Sequence, residues 1–542
     1  MRKRLSLILL GMSFFVPAVA QSQSTKQPHL INKGSTKQLI VEGKPFLVLG
    51  GELGNSSASS LPYMKPVWQK LRTMNLNTVL MPVYWELMEP EEGKFDFTLI
   101  DSLIHISRKN NIKVIPLWFG SWKNSMSCYA PAWVKTNQAR FPRAQDRAGK
   151  GLEILSAFSK NNLDADVNAF AAMMNHIRAI DKAQTVIMVQ VENEIGMLTE
   201  AREHTAEANM LFNSEVPREL MNYLVSKKDV LVPELREHWS KNGFATTGNW
   251  EAVFGKSLAT DELFQAWHYA KFTEVVTAAG KKAYPLPMFV NAALNHRNVE
   301  PGKYPSAGPL PHIMDIWQAA APAIDMLSPD FYNPRFKYYN DLYTRQNNPL
   351  FIPEIRLEPS DAAKAFYAIG HYQAMGFSPF SIESVDEPKD EPVGKSYAIL
   401  SQLAPQILKY QGTGKMEGVL LDTQTKKQEI IMGSYKMTFS HDYTLGWSPD
   451  AKKPDWPETG ALVIQEAPDE FIFAGTGVVV TFTINGNANA SAGILQADEG
   501  VYVNGKWQPG RRMNGDQDHQ GRHIRIPVGE WGIQRVKLYQ YK

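Results

Sequence analysis

Thr185-Val186-Ile187-Met188-Val189-Gln190-Val191-Glu192-Asn193-Glu194-Ile195-Gly196 begins as an apolar, β-branched run and ends in two carboxylates around an amide. A run of that kind fills a strand covered on both faces. Carboxylates at the end of such a strand are costly to bury unless they are paired or used. The stretch therefore reads as a buried parallel strand that aims an acid into a cleft. The other reading is a solvated strand end whose Glu side chains face water. Strict alternation puts Glu192 and Glu194 on one face and Asn193 on the other.

Working outward, similar runs alternate with helical periodicity. Phe46–Glu52, Thr78–Glu86, Lys113–Gly120, Pro287–Ala292, Asp325–Tyr332, Pro349–Glu354 and Phe377–Glu383 all read as strands. Helical spacing separates them, as at Val67, Leu71 and Met74, at Leu99, Leu103 and Ile106, and at Phe170, Met173 and Ile177. Eight strand–helix units predict a (β/α)8 TIM barrel, an α/β fold whose chemistry sits at the C-terminal ends of its strands. The alternative is a doubly wound open sheet, but Gly50-Gly51-Glu52-Leu53-Gly54 is a poor match to the Gly-rich turn such sheets carry. The strand ends share a character: Glu52, Trp85-Glu86, Trp118, Glu194, Tyr332, Glu354 and Glu383. Acids and aromatics collected on one rim describe a sugar-binding cleft.

The barrel is expected over 28–411, with a helical insertion around 197–260. From Gly412 the texture changes to short alternating runs between Gly, Asn and Asp turns, which predicts an antiparallel β-sandwich over 412–542. Trp447, Trp456, Trp507 and Trp531 are read either as a carbohydrate platform or as packing. At the start, Arg2, Lys3 and Arg4 precede an apolar run that ends in Ala18-Val19-Ala20, the pattern of a signal peptide over 1–20. Cys128 is the sole cysteine, so no intrachain disulfide can form, and an exported chain of this kind fits a Gram-negative periplasm. It reads as a packed thiol near the cleft.

The 542-residue chain has a formal charge of +2; loss of the signal peptide removes three cations and no acid, leaving −1. That balance gives no electrostatic case for nucleic acid or an anionic membrane, and a neutral substrate is expected. No His-Glu-x-x-His, Gly-x-Ser-x-Gly or P-loop is present, and neither a metal nor another cofactor is expected.

Splitting an acetal needs a general acid at the leaving oxygen and a carboxylate at the anomeric carbon. Glu194 and Glu354, on strands that face each other across a barrel mouth, are the natural pair. Val189–Gly196, Gly50–Leu53, Tyr84–Phe97 and Pro131-Ala132-Trp133 resemble motifs of family 35 glycoside hydrolases, the β-galactosidases of the large barrel clan. The resemblance covers most of Leu39 to Asp386, and the C-terminal part looks like the β-domain appended in a bacterial branch. It implies Glu194 as acid/base, Glu354 as nucleophile, Asn193 at the sugar 2-hydroxyl, and Tyr84 and Tyr332 at the sugar. Glu52 and Glu383 join these as rim acids.

The chain departs from the family where Gly54-Asn55-Ser56 follows the first strand and where Leu117–Asn124 replaces a Gly-Pro-Tyr run with a later Ala-Glu. Trp118, Trp122 and Asn124 are the candidates for the replaced sugar contacts. For Asn193 and Glu194 to meet one sugar, the strand must twist or bulge. The function expected is a retaining exo-β-galactosidase trimming plant or algal polysaccharide fragments. The alternatives are a retaining β-glycosidase for glucose, glucosamine or fucose, and a non-catalytic glycan-binding barrel.

Overall fold

The computed structural model describes residues 27–295, 298–487 and 489–542. The leader expected over 1–20 lies outside them. Eight parallel strands form one sheet: β1 (Val48–Leu49), β2 (Thr78–Tyr84), β3 (Lys113–Phe119), β4 (Val189–Gln190), β5 (Met288–Ala293), β6 (Met326–Phe331), β7 (Ile352–Ile355) and β8 (Gly376–Pro379). Neighbours follow chain order, and β8 pairs with β1. The ring closes just beyond β1, where Leu80 N–H donates to Gly51 O at 2.9 Å and Leu53 N–H donates to Leu80 O at 3.0 Å. The sheet is thus a (β/α)8 barrel. An antiparallel sheet of His29–Lys33, Thr36–Val41 and Lys44–Phe46 sits at the strands' N-terminal ends, where Glu42 N–H donates to Gln184 Oε1 at 3.2 Å. The opposite end is left for the site.

Two expected strands are cut short. The run from Thr185 makes a two-residue ladder, because Glu192 (φ 59°) and Glu194 (φ 46°) are left-handed and cannot continue it. Trp85 and Glu86, read as the end of β2, open the short helix Trp85–Met88 instead. Trp85 is fully buried with its Nε1–H on Glu89 Oε2, and Glu86 pairs with Lys135 at 3.6 Å. Neither belongs to the rim.

Helix α1 (Lys160–Ile180), capped by Ser159 Oγ, covers β3 and β4. Between β4 and β5 lie four short helices and then α2 (Leu258–Ala283), which packs along α1. The helix α3 (Asp361–Gly370) follows β7, and α4 (Pro392–Tyr410) follows β8.

Beyond α4 the chain is antiparallel β. Six strands, in the order Met416–Leu421, Thr459–Ala467, Glu470–Thr476, Gly532–Tyr541, Ser491–Val503 and Lys506–Arg512, form one sheet. Four more, Lys427–Met432, Tyr435–His441, Val478–Ile484 and Ile524–Ile526, form the second. The six-stranded sheet is apolar on both faces. Val419, Leu421, Ala461, Val463, Phe471 and Phe473 pack against the second sheet. Their neighbours Leu420, Leu462, Ile464, Ile472 and Ala474 join the core of the barrel. The period of two has sorted one set of strands into two cores.

α3 is the barrel helix that meets this sheet most extensively, and α4 meets it as well. Approach is close at Gly370, where a Cβ would stand 2.7 Å from Gly418 Cα and 2.9 Å from Gly418 N. Only a backbone shift would relieve such a contact. Gly370→Ala should therefore lower stability by about 1–3 kcal/mol through overpacking, read as a lower melting temperature; an unchanged value would contradict the contact.

Candidate active site

Glu52 stands just beyond β1 and is fully buried. Its backbone bridges Leu80 and Phe380, so it is fixed from both sides. Asp330 on β6 and Glu354 on β7 are partners in the parallel register, and both carboxyls are buried. Asn291 on β5 ties two strands together. Its Nδ2–H donates to Asp330 Oδ2 at 2.6 Å, and its Oδ1 accepts from Glu194 N–H at 3.0 Å.

After β3 the chain makes a two-residue hairpin turn. Asn124 (φ 50°) and Ser125 (φ 68°) are both left-handed, and Lys123 and Met126 exchange backbone hydrogen bonds of 2.8 and 3.0 Å. This is the turn type that matches strand twist, and Asn suits its first position. The turn extends the β3–β4 pairing past the barrel: Asn124 N–H donates to Asn193 O and Ser125 N–H to Glu194 O. Asn124 is exposed at the mouth, and its Nδ2–H donates to Glu194 Oε2.

The left-handed residues at 192 and 194 decide where the three polar side chains go. Glu192 turns out of the barrel toward α1, where its Oε2 accepts from Trp122 N–H at 2.8 Å beside Asp166. Asp166 accepts from Trp118 Nε1–H at 2.8 Å and Ser121 N–H at 3.0 Å. Burial, and then the neighbouring Asp166, push the Glu192 carboxyl well above its ordinary range. Glu192 and Glu194 therefore do not share a face, contrary to strict alternation. The Asn193 amide is fully buried with neither its oxygen nor its nitrogen hydrogen-bonded.

Glu194, Asp330 and Glu354 converge: one carboxylate oxygen from each lies within 4.8 Å of the others. They make the one group among the described residues that could hold a metal ion. Each has one oxygen already engaged, by Asn124, Asn291 and Tyr332 respectively. Tyr332, 41% exposed, stands at the mouth with its hydroxyl on Glu354 Oε1 and Arg356 over its ring at 5.5 Å. Glu354 Oε2, Asp330 Oδ1 and both oxygens of Glu52 are buried with no N–H or hydroxyl donor on them, and their polar neighbours are other carboxyls, Glu52 beside Glu354 and Asp330 beside Glu194.

Every acid in the pocket is raised above its ordinary range. Burial is the largest cause for each. Glu52 and Asp330 are pushed well up, both next by the charge of Glu354. Burial and the charge of Glu194 push Glu354 to about 7, against the pull of Lys123 and the Tyr332 hydroxyl. Burial raises Glu194 against Lys123 and Asn124.

The remaining expected residues divide. Tyr84 is buried, with its hydroxyl unpartnered and its ring against Phe119 and Tyr129. Glu383 ties the loop after β1, accepting from Gly54 N–H at 2.9 Å and from Ser57 Oγ–H on one oxygen; the other is unpartnered. Trp118 and Trp122 are not sugar contacts. Both are fully buried on the helix side, Trp118 against Phe170 and Trp85, and Trp122 edge-on to Tyr269 and Phe272 of α2. Cys128, expected to be packed, is exposed. The four C-terminal Trp side chains form no single platform: Trp531 lies along Phe366 of α3, Trp507 packs on Tyr502, Trp456 on His441, and Trp447 is half exposed beside His519 and His523.

Lys123, Asn291, Asp330 and Asp166 were not anticipated. Asp330 carries the signal that marked Glu194, an acid at the end of an apolar strand. Lys123 has no such signal, because a cation in a loop usually faces water.

Residues 38–259 match the family described as Glycosyl hydrolases family 35, and residues 393–525 match a Domain of unknown function (DUF5597). The family match includes Glu52 and Glu194 and ends before Glu354. The chain is 26% identical over 219 residues to a β-galactosidase of Xanthomonas manihotis, covering 39% of this chain and 34% of that protein. It is 34% identical over 91 residues to β-galactosidase 14 of Arabidopsis thaliana, covering 17% of this chain and 10% of that protein. The chain thus matches about a third of the length of the first of these curated relatives and a tenth of the second. A β-galactosidase from the psychrophilic Marinomonas ef1 superposes with a TM-score of 0.46 at 13% identity, over 67% of this chain and 61% of that one.

Because the folded chain keeps the Glu354 proton up to about pH 7 while a free Glu releases it near 4.5, wild-type stability falls as pH rises through that window. Glu354→Gln has no such proton to lose. Its melting temperature should equal the wild type's near the lower pH and exceed it increasingly toward pH 7, where the stability difference is of the order of 3 kcal/mol. A difference that does not change with pH would contradict the burial and crowding of this carboxyl.

Proposed function

We propose that this chain, whose residues 38–259 match the glycosyl hydrolases of family 35, is a retaining β-galactosidase that removes terminal galactose from glycans. The observation that carries the reading is the approach of Glu194 and Glu354, with a carboxylate oxygen of each within 4.8 Å. Retaining glycosidases hold their carboxyls about 5–5.5 Å apart, whereas inverting ones leave about 6.5–9.5 Å for a water.

In this mechanism Glu354, ionised, attacks the anomeric carbon and forms a glycosyl-enzyme. Tyr332 orients its attacking carboxylate by donating to Oε1. Glu194, whose burial favours its protonated form, donates to the leaving oxygen and then takes a proton from the incoming water. Asn124 holds Glu194 Oε2 from the mouth side, where a leaving group departs. Glu52 and Asp330, raised far above the usual range, stay neutral and so do not compete with Glu354 as anions. Asn193, with an unspent amide, is the group for the sugar 2-hydroxyl. The depth of the acids, none more than 4% exposed, supports exo action on a chain end. The proposal includes export to a bacterial periplasm and plant or algal polysaccharide fragments as substrates.

An aryl β-galactoside followed by NMR should release β-galactose first, and release of the α-anomer would end the retaining assignment. Glu354→Gln should lose about 10³-fold or more in kcat. Glu194→Ala should lose about 10²–10⁴-fold on substrates with poor leaving groups and, given azide, yield β-galactosyl azide.

A further inference from the structure

Lys123 lies among the four acids of the pocket and is only 4% exposed. Its ammonium makes no hydrogen bond and no ion pair with any described residue, and no carboxylate oxygen lies within 4.0 Å of it. Its nearest defined partner is the ring of Phe119, 5.1 Å from Nζ. The groups that sense its charge are Glu52 from β1, Glu194 from β4, Asp330 from β6, Glu354 from β7 and Cys128 from its own loop.

An ammonium carries three N–H donors and no acceptor. Leaving one without a protein partner beside four acids is costly, and a free lysine would swing onto the nearest carboxylate. Its backbone is held by the hairpin turn and by the bridge between Lys123 and Asn193. Across the same space both oxygens of Glu52 are buried with no N–H or hydroxyl donor on them, and their polar neighbour is the Glu354 carboxyl. The pocket therefore contains donors with no acceptor facing an acid whose one partner is another acid, at a spacing that exceeds direct contact. A hydroxyl completes such a pair, because it accepts from one side and donates to the other.

We propose that Lys123 is a specificity-determining residue that donates to one hydroxyl oxygen of the bound sugar, while that hydroxyl donates to Glu52. The inference rests on the glycosidase reading and refines it: the glycone is neutral and must carry a hydroxyl at the position read by this pair. An anionic substituent there would bring a further negative charge among four acids.

The test uses the full-length enzyme, Lys123→Met and Glu52→Gln, with an aryl β-galactoside and its set of monodeoxy derivatives. Lys123→Met should lower kcat/KM on the parent by about 10–100-fold, the range of a hydrogen bond to a charged group. On one deoxy derivative the wild type should already show that loss, and Lys123→Met should add less than about 2-fold. Glu52→Gln should show its smallest effect on the same derivative. The acidic limb of kcat/KM should also move to higher pH in Lys123→Met, because Glu354 loses its nearest cation, while the melting temperature stays or rises. Equal penalties on every derivative, or no penalty on the parent, would overturn the proposal. If no galactoside is turned over but another glycoside is, the galactose reading fails and the same comparison on that sugar decides the role of Lys123. If none is turned over, binding of monosaccharides to Glu354→Gln with and without Lys123→Met decides it, and equal binding overturns it.

Discussion

Four carboxyl groups withdrawn from water around one ammonium set the terms for the rest of the molecule. Left to themselves, such groups would repel one another or drag water in. They are held together because each is fixed through a backbone that cannot move independently: Asp330 and Glu354 through the parallel register, Glu52 through its two-sided bridge, and Glu194 through Asn291 and the turn at Asn124–Ser125. The repulsion is relieved by protons rather than by distance. The result is a graded set in which Glu52 and Asp330 are pushed furthest toward their protonated forms and Glu354 to about 7.

The left-handed backbone at Glu192 and Glu194 belongs to the same economy. A regular strand would send two neighbouring-layer acids into the barrel together. The two inversions instead send one acid to each side, and the outward one meets Asp166 among the indole and amide donors of Trp118, Ser121 and Trp122. A non-glycine residue with positive φ persists only where surroundings hold it. Here they are the fully buried aromatic layer between β3, α1 and α2.

Much of this was legible in the sequence. The eight strands announced themselves as apolar runs ending in acids, and the pairing of Glu194 with Glu354 follows from strand order once a barrel is granted. What was not legible depended on side-chain direction. Trp118 and Trp122 look like sugar-stacking residues because they stand beside the rim, but in a strand buried on both faces an aromatic side chain fills the helix layer as readily as the cleft. Glu192 was placed wrongly because alternation assumes a regular strand, and nothing in Glu-Asn-Glu signals two left-handed residues. Lys123 carries no signal in the sequence, since the physical oddity of an unpaired ammonium among four acids exists only in three dimensions.

The two-faced C-terminal sheet makes the ending of the chain part of its middle. The helix pressed against that sheet is α3, which directly follows the strand bearing Glu354. A segment that looks like a detachable appendage is thus the outer wall of the strand–helix unit that bears Glu354. Its apolar underside, with Leu420, Leu462, Ile464 and Ile472 interleaved into the barrel, has no polar surface to fall back on if it is parted from it. Cutting the chain between the two folds would leave two sticky fragments rather than a catalytic module and an accessory one. Insertions, fusions and exchanges in this protein therefore belong at loops away from that seam.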